Sequence, residues 1–101
     1  AVTYFNENYN QDISIENYAQ TRGMSVSWFI RNFKKYTGMT PMQFIVSLRV
    51  NNAQILLEQT NYSIYEIAKI VGYDDKLYFS RLFRKQKGVS HSQYRKRQPL
   101  A

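Results

Sequence analysis

The chain contains two copies of one short sequence pattern, and this internal repeat constrains the fold more than any other feature. Over a first stretch the copies lie 49 positions apart, and the matching residues are Ser14, Ile15, Ala19 and Gly23 with Ser63, Ile64, Ala68 and Gly72. Over a second stretch they lie 50 positions apart, and the matching residues are Trp28, Phe29, Arg31, Phe33, Lys35, Gly38, Gln43 and Phe44 with Tyr78, Phe79, Arg81, Phe83, Lys85, Gly88, Gln93 and Tyr94. The second copy therefore has one more residue than the first, between Gly72 and the next helix, and an insertion of one residue belongs in a turn. We therefore predict two copies of one small helical unit.

Each copy is predicted to form a helix, a glycine turn and a second helix. In the first copy, apolar residues recur at helical spacing from Ile15, and Gly23 can take the left-handed conformation that ends a helix. The next helix runs from about Val26 to Tyr36, with Phe29 and Phe33 on its buried face. Its outward residues are Ser27, Ile30, Arg31 and Lys34.

The second copy follows the same order. Gly72 stands at its turn, and either Asp74 or Asp75 can cap the helix that follows. Phe79 and Phe83 are predicted to face inward, as their counterparts do in the first copy. The outward residues of this helix are Leu77, Ser80, Arg81 and Arg84.

A long helix is predicted between the two copies. It begins at Pro41, because proline suits the first helical position, and no helix-breaking residue follows until about Gln59. Thr40 opens this helix with a capping box, and the same S/T-x-x-E/Q pattern starts at Ser63 and Ser90. Apolar residues occupy more than one face of the long helix. A connector that packs against both units has this pattern.

Positive charge is concentrated toward the C-terminus. The chain carries a net charge of +7, and residues 76–101 hold eight basic residues and no acidic one. This excess favours a polyanionic partner. Two helices joined by a glycine turn, the second with a basic outer face, are typical of the helix-turn-helix arrangement, in which the second helix lies in the major groove of DNA. The predicted long helix spans roughly 28 Å at about 1.5 Å per residue, close to the ~34 Å of one DNA turn.

Composition excludes several kinds of chemistry. The chain has no cysteine and one histidine, so it cannot form a disulfide, a thiolate zinc site, a cysteine nucleophile or a multi-histidine metal centre. We expect no cofactor, no metal and no enzymatic activity. No apolar run is long enough to span a membrane, which makes a soluble cytoplasmic protein the default. Because the chain starts at Ala1 without an initiator Met, we expect a fragment of a longer protein.

The second copy resembles the signature of the AraC/XylS family of bacterial transcription regulators. The residues that carry the resemblance are Ile67 to Tyr73, Tyr78 to Lys85, Gly88, Tyr94 and Arg95. The resemblance covers roughly residues 6–97 and includes the duplicated unit and the long helix. It implies an all-α DNA-binding domain of about seven helices that regulates promoters at the bacterial nucleoid, commonly as an activator touching RNA polymerase. The Thr/Ser-Pro step before the family's last helix is Ser90-His91 here.

This all-α fold of about seven helices is expected to form two helix-turn-helix subdomains joined by a long linker helix. The expected bounds are residues 1–40 for the N-terminal subdomain, 41–60 for the linker and 61–101 for the C-terminal subdomain. Dimerisation in the family usually belongs to a separate N-terminal domain. We therefore expect this fragment to be monomeric and the full-length protein to be able to dimerise through a domain absent here.

The resemblance implies particular DNA-reading residues. Carried over by position, the base contacts fall on Ser27, Ile30 and Arg31 in the first unit and on Lys76, Leu77, Ser80 and Arg81 in the second. Arginine can offer a fork to guanine O6 and N7, serine can donate or accept, and Ile or Leu can meet a thymine methyl. Ile30 also fits packing against a neighbouring helix. The expected phosphate contacts are Ser14, Lys34, Lys35, Thr40, Ser63, Arg84 and Lys85.

Several nearby residues have simpler interpretations. Trp28 and Tyr78 favour packing over base stacking, and His91 is interpreted as an exposed residue at a helix start. One of Asp74 and Asp75 can cap a helix while the other accepts from cytosine N4. The basic run Arg95-Lys96-Arg97 fits a solvated end as well as a phosphate clamp.

Two function classes compete with DNA binding. A helical adaptor for RNA or an acidic protein would need no paired, groove-spaced helices. Some DNA-repair alkyl-transfer proteins carry a module of this kind, but they need a cysteine acceptor, which the chain lacks. Binding of duplex DNA by a transcription regulator accounts for the most features.

Overall fold

The structure is a computed structural model that describes the backbone of residues 1–97 and the side chains of residues 1–95. This part of the chain folds into helices without a strand. The helices are α1 (Val2–Asn8), α2 (Ile15–Thr21), α3 (Val26–Thr37), α4 (Pro41–Gln59), α5 (Ile64–Val71), α6 (Lys76–Lys87) and α7 (His91–Arg97). The prediction of an all-α fold of about seven helices is confirmed.

The helix starts follow the predicted caps. The side chains of Ser14, Ser25, Thr40 and Ser63 each accept a hydrogen bond from a backbone N–H of the first turn. Asp75 caps α6 by accepting from the backbone N–H groups two and three residues further on. Reciprocal capping boxes form at all three predicted positions, which are Thr40, Ser63 and Ser90. These bonds satisfy amides that the helix itself leaves without partners.

The glycine in the turn of the second unit has two roles. Gly72 has φ of +111°, a conformation that side chains disfavour. A Cβ atom at this position would lie 3.1 Å from the carbonyl oxygen of Asn10 and 3.2 Å from Nε of Arg49. Glycine therefore ends α5 and also allows the α1–α2 loop to approach the turn between α5 and α6.

Helix α4 belongs to two hydrophobic cores. The N-terminal core consists of Phe5, Tyr18, Ala19, Phe29, Phe33 and Ile45. The C-terminal core consists of Val50, Ala53, Leu57, Ile67, Ala68, Val71, Tyr73, Phe79 and Phe83. Because Ile45 enters one core and Val50, Ala53 and Leu57 enter the other, the apolar residues of α4 cannot form a single stripe. The packing of both units against this helix confirms the predicted connector, and the molecule extends over 48 × 23 × 22 Å.

A polar link joins the units where α4 passes between the cores. Nε of Arg49 donates to the carbonyl oxygen of Tyr9 at 2.6 Å, and a terminal nitrogen donates to the carbonyl oxygen of Gln11 at 2.9 Å. The guanidinium carbon lies 4.8 Å from the centroid of the Tyr73 ring, within the range of a cation–π contact. Arg49 thus connects the α1–α2 loop, the linker helix and the turn of the second unit.

A second arginine holds the other end of α4. Arg95 donates to the carbonyl oxygens of Tyr62 at 2.7 Å, Thr60 at 3.1 Å and Leu57 at 3.3 Å. Its guanidinium therefore binds the α4 C-terminus and the loop that follows, and neither predicted role, a solvated end or a phosphate clamp, describes it. The side chains of Lys96 and Arg97 lie outside the described part of the chain.

Replacement of Arg49 is expected to destabilise the fold. In Arg49→Met the carbonyls of Tyr9 and Gln11 lose charged donors, and we expect the free energy of unfolding to fall by about 1–3 kcal/mol. Urea denaturation followed by circular dichroism measures this change. Arg84→Met, which alters an exposed arginine of α6, serves as the control and should stay within about 0.5 kcal/mol of the parent. Equal stability of the two variants would contradict the bridging role of Arg49.

Candidate nucleic-acid interface

Helices α3 and α6 occupy equivalent places in the two units. Each has two phenylalanines four residues apart in the adjacent core, Phe29 and Phe33 in α3 and Phe79 and Phe83 in α6. Burial of one face fixes the opposite face toward solvent. The residues that sequence reasoning assigned to base contact lie on these outward faces or at their edges.

On α3, Ser27, Arg31 and Lys34 are exposed and share one side of the helix. Ile30 is half-buried and lines a concavity with Pro41, at the start of the linker helix. The packing interpretation of Ile30 therefore describes part of its surroundings, and a base contact at this residue stays a prediction.

On α6, Lys76, Leu77, Arg81 and Arg84 are exposed. Leu77 has 62% of its surface accessible and is one of several exposed apolar side chains of the protein. Its position on the outward face of α6 would allow it to cover an apolar group of a ligand. A thymine methyl in the major groove is such a group.

Ser80 differs from its neighbours because its hydroxyl already has partners within the protein. Oγ donates to the carbonyl oxygen of Lys76 at 2.9 Å and lies 3.1 Å from Nε2 of His91. Nδ1 of His91 lies 3.3 Å from Oγ of Ser92. The interpretation of His91 as a helix-start residue is confirmed, because it is the first residue of α7, but its predicted exposure is wrong, because the ring is partly buried against α6. Burial lowers the pKa of His91 below its ordinary value, and the positive charges of Lys76 and Arg95 lower it further.

The basic residues assigned to phosphate contact lie mainly at helix ends. Lys34 and Lys35 stand in the last turn of α3, and Arg84 and Lys85 stand in the last turn of α6. All four are exposed. Cations at these positions also complement the negative end of the helix dipole, a favourable interaction that offsets part of the repulsion between them.

The other three expected phosphate contacts, Ser14, Thr40 and Ser63, are the caps of α2, α4 and α5. Their hydroxyl oxygens accept backbone N–H groups of the helices that they begin. At these positions only the unbonded amides of the first turn remain to bind an anion.

The aromatic residues beside the two faces are half-exposed, although packing was favoured for them. Trp28 is 48% exposed and Tyr78 is 52% exposed. The ring of Tyr78 makes an edge contact with Tyr73, with 5.8 Å between centroids.

Of the two candidate caps, Asp75 caps α6 and Asp74 remains exposed.

The long-range polar contacts around α4 and α6 were missed by sequence reasoning. Nζ of Lys87 donates to Oδ1 of Asn51 at 2.7 Å, which ties the end of α6 to the linker helix. The hydroxyl of Tyr94 donates to the carboxylate of Glu58, which ties α7 to the same helix. No local pattern identifies such pairs, because their members lie 36 positions apart in the chain.

Among the described residues, no three potential metal-ligating side chains from His, Cys, Asp and Glu lie together. The helices in this part of the chain are also too short or too polar to cross a membrane.

Comparison with known proteins gives a matching family model and several similar relatives. A family model described as a helix-turn-helix domain matches residues 18–97. The MmsAB operon regulatory protein of Pseudomonas aeruginosa is 37% identical over 94 residues, which are 93% of this chain and 31% of that protein. The chain spans about a third of the length of the curated relatives it matches.

Two solved structures have the same fold. The C-terminal domain of AraT, a response regulator from Geobacillus stearothermophilus, gives a TM-score of 0.92 at 33% identity and covers 99% of this chain and 84% of that one. The DNA-binding domain of AdpA, a global transcriptional factor solved in complex with a target DNA, gives a TM-score of 0.87 at 33% identity, with coverages of 95% and 86%.

The partly buried His91 gives a pH dependence that can be measured. Because folding lowers the pKa of His91, the unfolded chain binds more protons below about pH 6.5, and stability must fall as pH falls through this range. We expect urea unfolding to show a larger loss of stability between pH 7.5 and pH 5 for the parent than for His91→Gln. Carboxylates titrate in both proteins and cancel in the comparison. An equal loss in the two proteins would contradict the burial of His91.

Proposed function

Because the chain belongs to the AraC-type helix-turn-helix family of transcription regulators, we propose that it binds duplex DNA in a sequence-specific manner by placing α3 and α6 in successive major grooves. Membership confirms the family that the sequence resembles. The observation that carries the proposal is that Arg31 and Arg81, related by the repeat, are exposed at the same position of two equivalent helices.

The linker helix supports the two-groove arrangement. Its nineteen residues correspond to roughly 28 Å at about 1.5 Å per residue, and each end is packed into a different core. A linker of this length suits two recognition helices that enter successive major grooves on one side of a duplex, about 34 Å apart. In this proposal residues 1–40 and 61–101 act as two DNA-binding subdomains, and residues 41–60 set the distance between them.

We assign base reading to the outward residues of α3 and α6. The proposed base contacts are Ser27, Ile30, Arg31, Lys76, Leu77, Ser80 and Arg81. The two arginines would each form a fork with guanine O6 and N7, while Leu77 and the exposed edge of Ile30 would meet thymine methyl groups. Lys76 stands in the first turn of α6, the part of a recognition helix that approaches base edges.

Phosphate contacts are assigned to the exposed cations and to the helix starts. The proposed residues are Lys34, Lys35, Arg84 and Lys85, with the first-turn amides of the helices capped by Ser14, Thr40 and Ser63. These groups would fix register and affinity without reading sequence.

Regulation is a property named for the curated relatives, which are about three times as long as this chain. The relatives include regulators of named operons, and AdpA binds its target DNA through a domain of this fold. We propose that the present domain directs a bacterial regulator to promoter DNA at the nucleoid and can touch RNA polymerase there. It would bind its site as a monomer, dimerise only through another domain, and act by binding rather than by catalysis.

The proposal predicts the form of the DNA site. Selection from a randomised duplex library should recover an asymmetric motif with two boxes about 10 base pairs apart, because each unit reads one major groove. Binding to the selected duplex should weaken steeply between two salt concentrations and resist single-stranded RNA competitor. Steep salt dependence without an enriched motif would instead indicate nonspecific polyanion binding, and preference for the RNA would favour the adaptor alternative.

Two kinds of basic residue should behave differently on that site. Arg31→Ala or Arg81→Ala should weaken binding to the selected duplex by about 1–3 kcal/mol and relax base preference in one box. Lys35→Ala should weaken selected and random duplexes similarly. Arg31→Lys and Arg81→Lys are the matched controls, because they keep the charge but lose the fork. Titrations by fluorescence anisotropy measure these losses, and equal losses on both duplexes for every variant would contradict the assignment of roles.

A further inference from the structure

The two units differ in chemistry where the recognition helix meets the helix that follows it. In the first unit this corner holds Ile30, Pro41 and Met42, which line one concavity with Ile15. Under the 50-residue shift the equivalent residues of the second unit are Ser80, His91 and Ser92. The corresponding concavity there is lined by Ile64, His91 and Ser92. An apolar set in one copy has thus been replaced as a whole by a hydrogen-bonding set in the other.

In the second unit, each hydrogen bond among Ser80, His91 and Ser92 has a defined donor and acceptor. A carbonyl oxygen can only accept, so the single hydrogen of the Ser80 hydroxyl lies on the 2.9 Å contact with the carbonyl oxygen of Lys76. At the 3.1 Å contact between Ser80 and His91, the donor must then be Nε2–H of the ring. Nδ1 is left as an acceptor, and the hydroxyl of Ser92 donates to it.

The charge state of His91 agrees with this assignment. Burial and the nearby charges of Lys76 and Arg95 lower the pKa of the ring, which favours neutral imidazole at pH 7. Neutral imidazole has one N–H group, and the hydrogen-bond pattern places it on Nε2.

The consequence for Ser80 is a loss of donor capacity. A hydroxyl has one hydrogen and two lone pairs. The hydrogen is donated to the carbonyl oxygen of Lys76, and one lone pair accepts from Nε2–H of His91. One lone pair therefore remains for an external ligand. Ser80 is partly exposed and lies on α6 next to Arg81, on the side assigned to the major groove.

We propose that His91 is a positioning residue that fixes the Ser80 hydroxyl as a hydrogen-bond acceptor, so that α6 selects an adenine or a cytosine at one position of its box. This inference rests on the proposed function. The exocyclic amino groups of adenine and cytosine are the base donors in the major groove, whereas guanine and thymine present acceptors there. Opposite the fixed lone pair of Ser80, a guanine O6 or a thymine O4 meets an acceptor without a hydrogen between them.

The experiment removes single amino groups from the DNA. In the duplex selected by the parent protein, each adenine of the α6 box is replaced by purine and each cytosine by 2-pyrimidinone, which lack the exocyclic amino group. At one position the parent should lose roughly fivefold to tenfold in affinity, the range expected for one hydrogen bond. Ser80→Ala should show no loss from that same replacement.

Two substitutions of His91 separate positioning from a general structural role. His91→Pro introduces the residue found at the equivalent place of the first unit, where Pro41 begins a stable helix, and it removes the donor. In this variant, we expect removal of the amino group to weaken DNA binding by less than about twofold. His91→Gln keeps an N–H donor and should retain most of the loss. Thermal melting establishes that both variants are folded.

The outcomes distinguish this inference from the proposed function. A selected two-box site at which amino removal affects the parent and His91→Gln, but not Ser80→Ala or His91→Pro, supports the role of His91. If the parent selects a two-box site but no amino group gives this pattern, the inference is overturned and sequence-specific DNA binding stands. Failure of the parent to select any site overturns both.

Discussion

The orientation of the two units relative to each other depends on the contacts of the Arg49 side chain. Hydrophobic burial builds the two cores and also packs Tyr9 of the α1–α2 loop against the C-terminal core, but burial is non-directional and defines the rotation of one unit about α4 only weakly. Arg49 adds direction, because its planar guanidinium donates to two carbonyls of the α1–α2 loop and lies over the ring of Tyr73. Gly72 completes this contact by leaving room for Arg49 and the Asn10 carbonyl. A domain that reads two grooves needs this directional link, since an error in rotation would misplace one recognition helix.

The remaining long-range hydrogen bonds have a similar purpose. Arg95, Lys87 and Tyr94 each join the second unit to α4 or to the loop after it. Two of them use a positively charged side chain as the donor, Arg95 to backbone carbonyls and Lys87 to a side-chain amide at the surface. The basic C-terminal quarter of the chain therefore has two functions. Part of its charge holds the scaffold together, and the exposed part on α6 is left to attract a polyanion.

How much could be predicted from the sequence depends on the distance over which each signal acts. Helix positions, caps and turns were predictable, because Thr40 or Ser63 bonds to an amide three residues away and Gly72 takes its conformation locally. The buried faces of α3 and α6 followed from the spacing of their phenylalanines. The contacts of Arg95 could not be predicted, because its acceptors lie 33 to 38 positions earlier in the chain. Every residue has a backbone carbonyl, so the sequence does not show which ones accept. The partial burial of His91 was missed for the same reason, since its partner Ser80 becomes a neighbour only after α6 and α7 pack together.

Under the proposed function, the repeat also indicates how one scaffold reads two different boxes. Pairs with positive charge are kept between the copies, as in Arg31 with Arg81 and Lys35 with Lys85. Pairs at the other proposed reading positions differ, as in Ser27 with Leu77 and Ile30 with Ser80. Charge supplies affinity that any sequence can use, whereas the shape and hydrogen-bonding character of the remaining side chains decide which base is accepted. A monomer that keeps the first set and varies the second gains a binding site with direction. Such a site can orient a regulator on a promoter, which a palindrome cannot do.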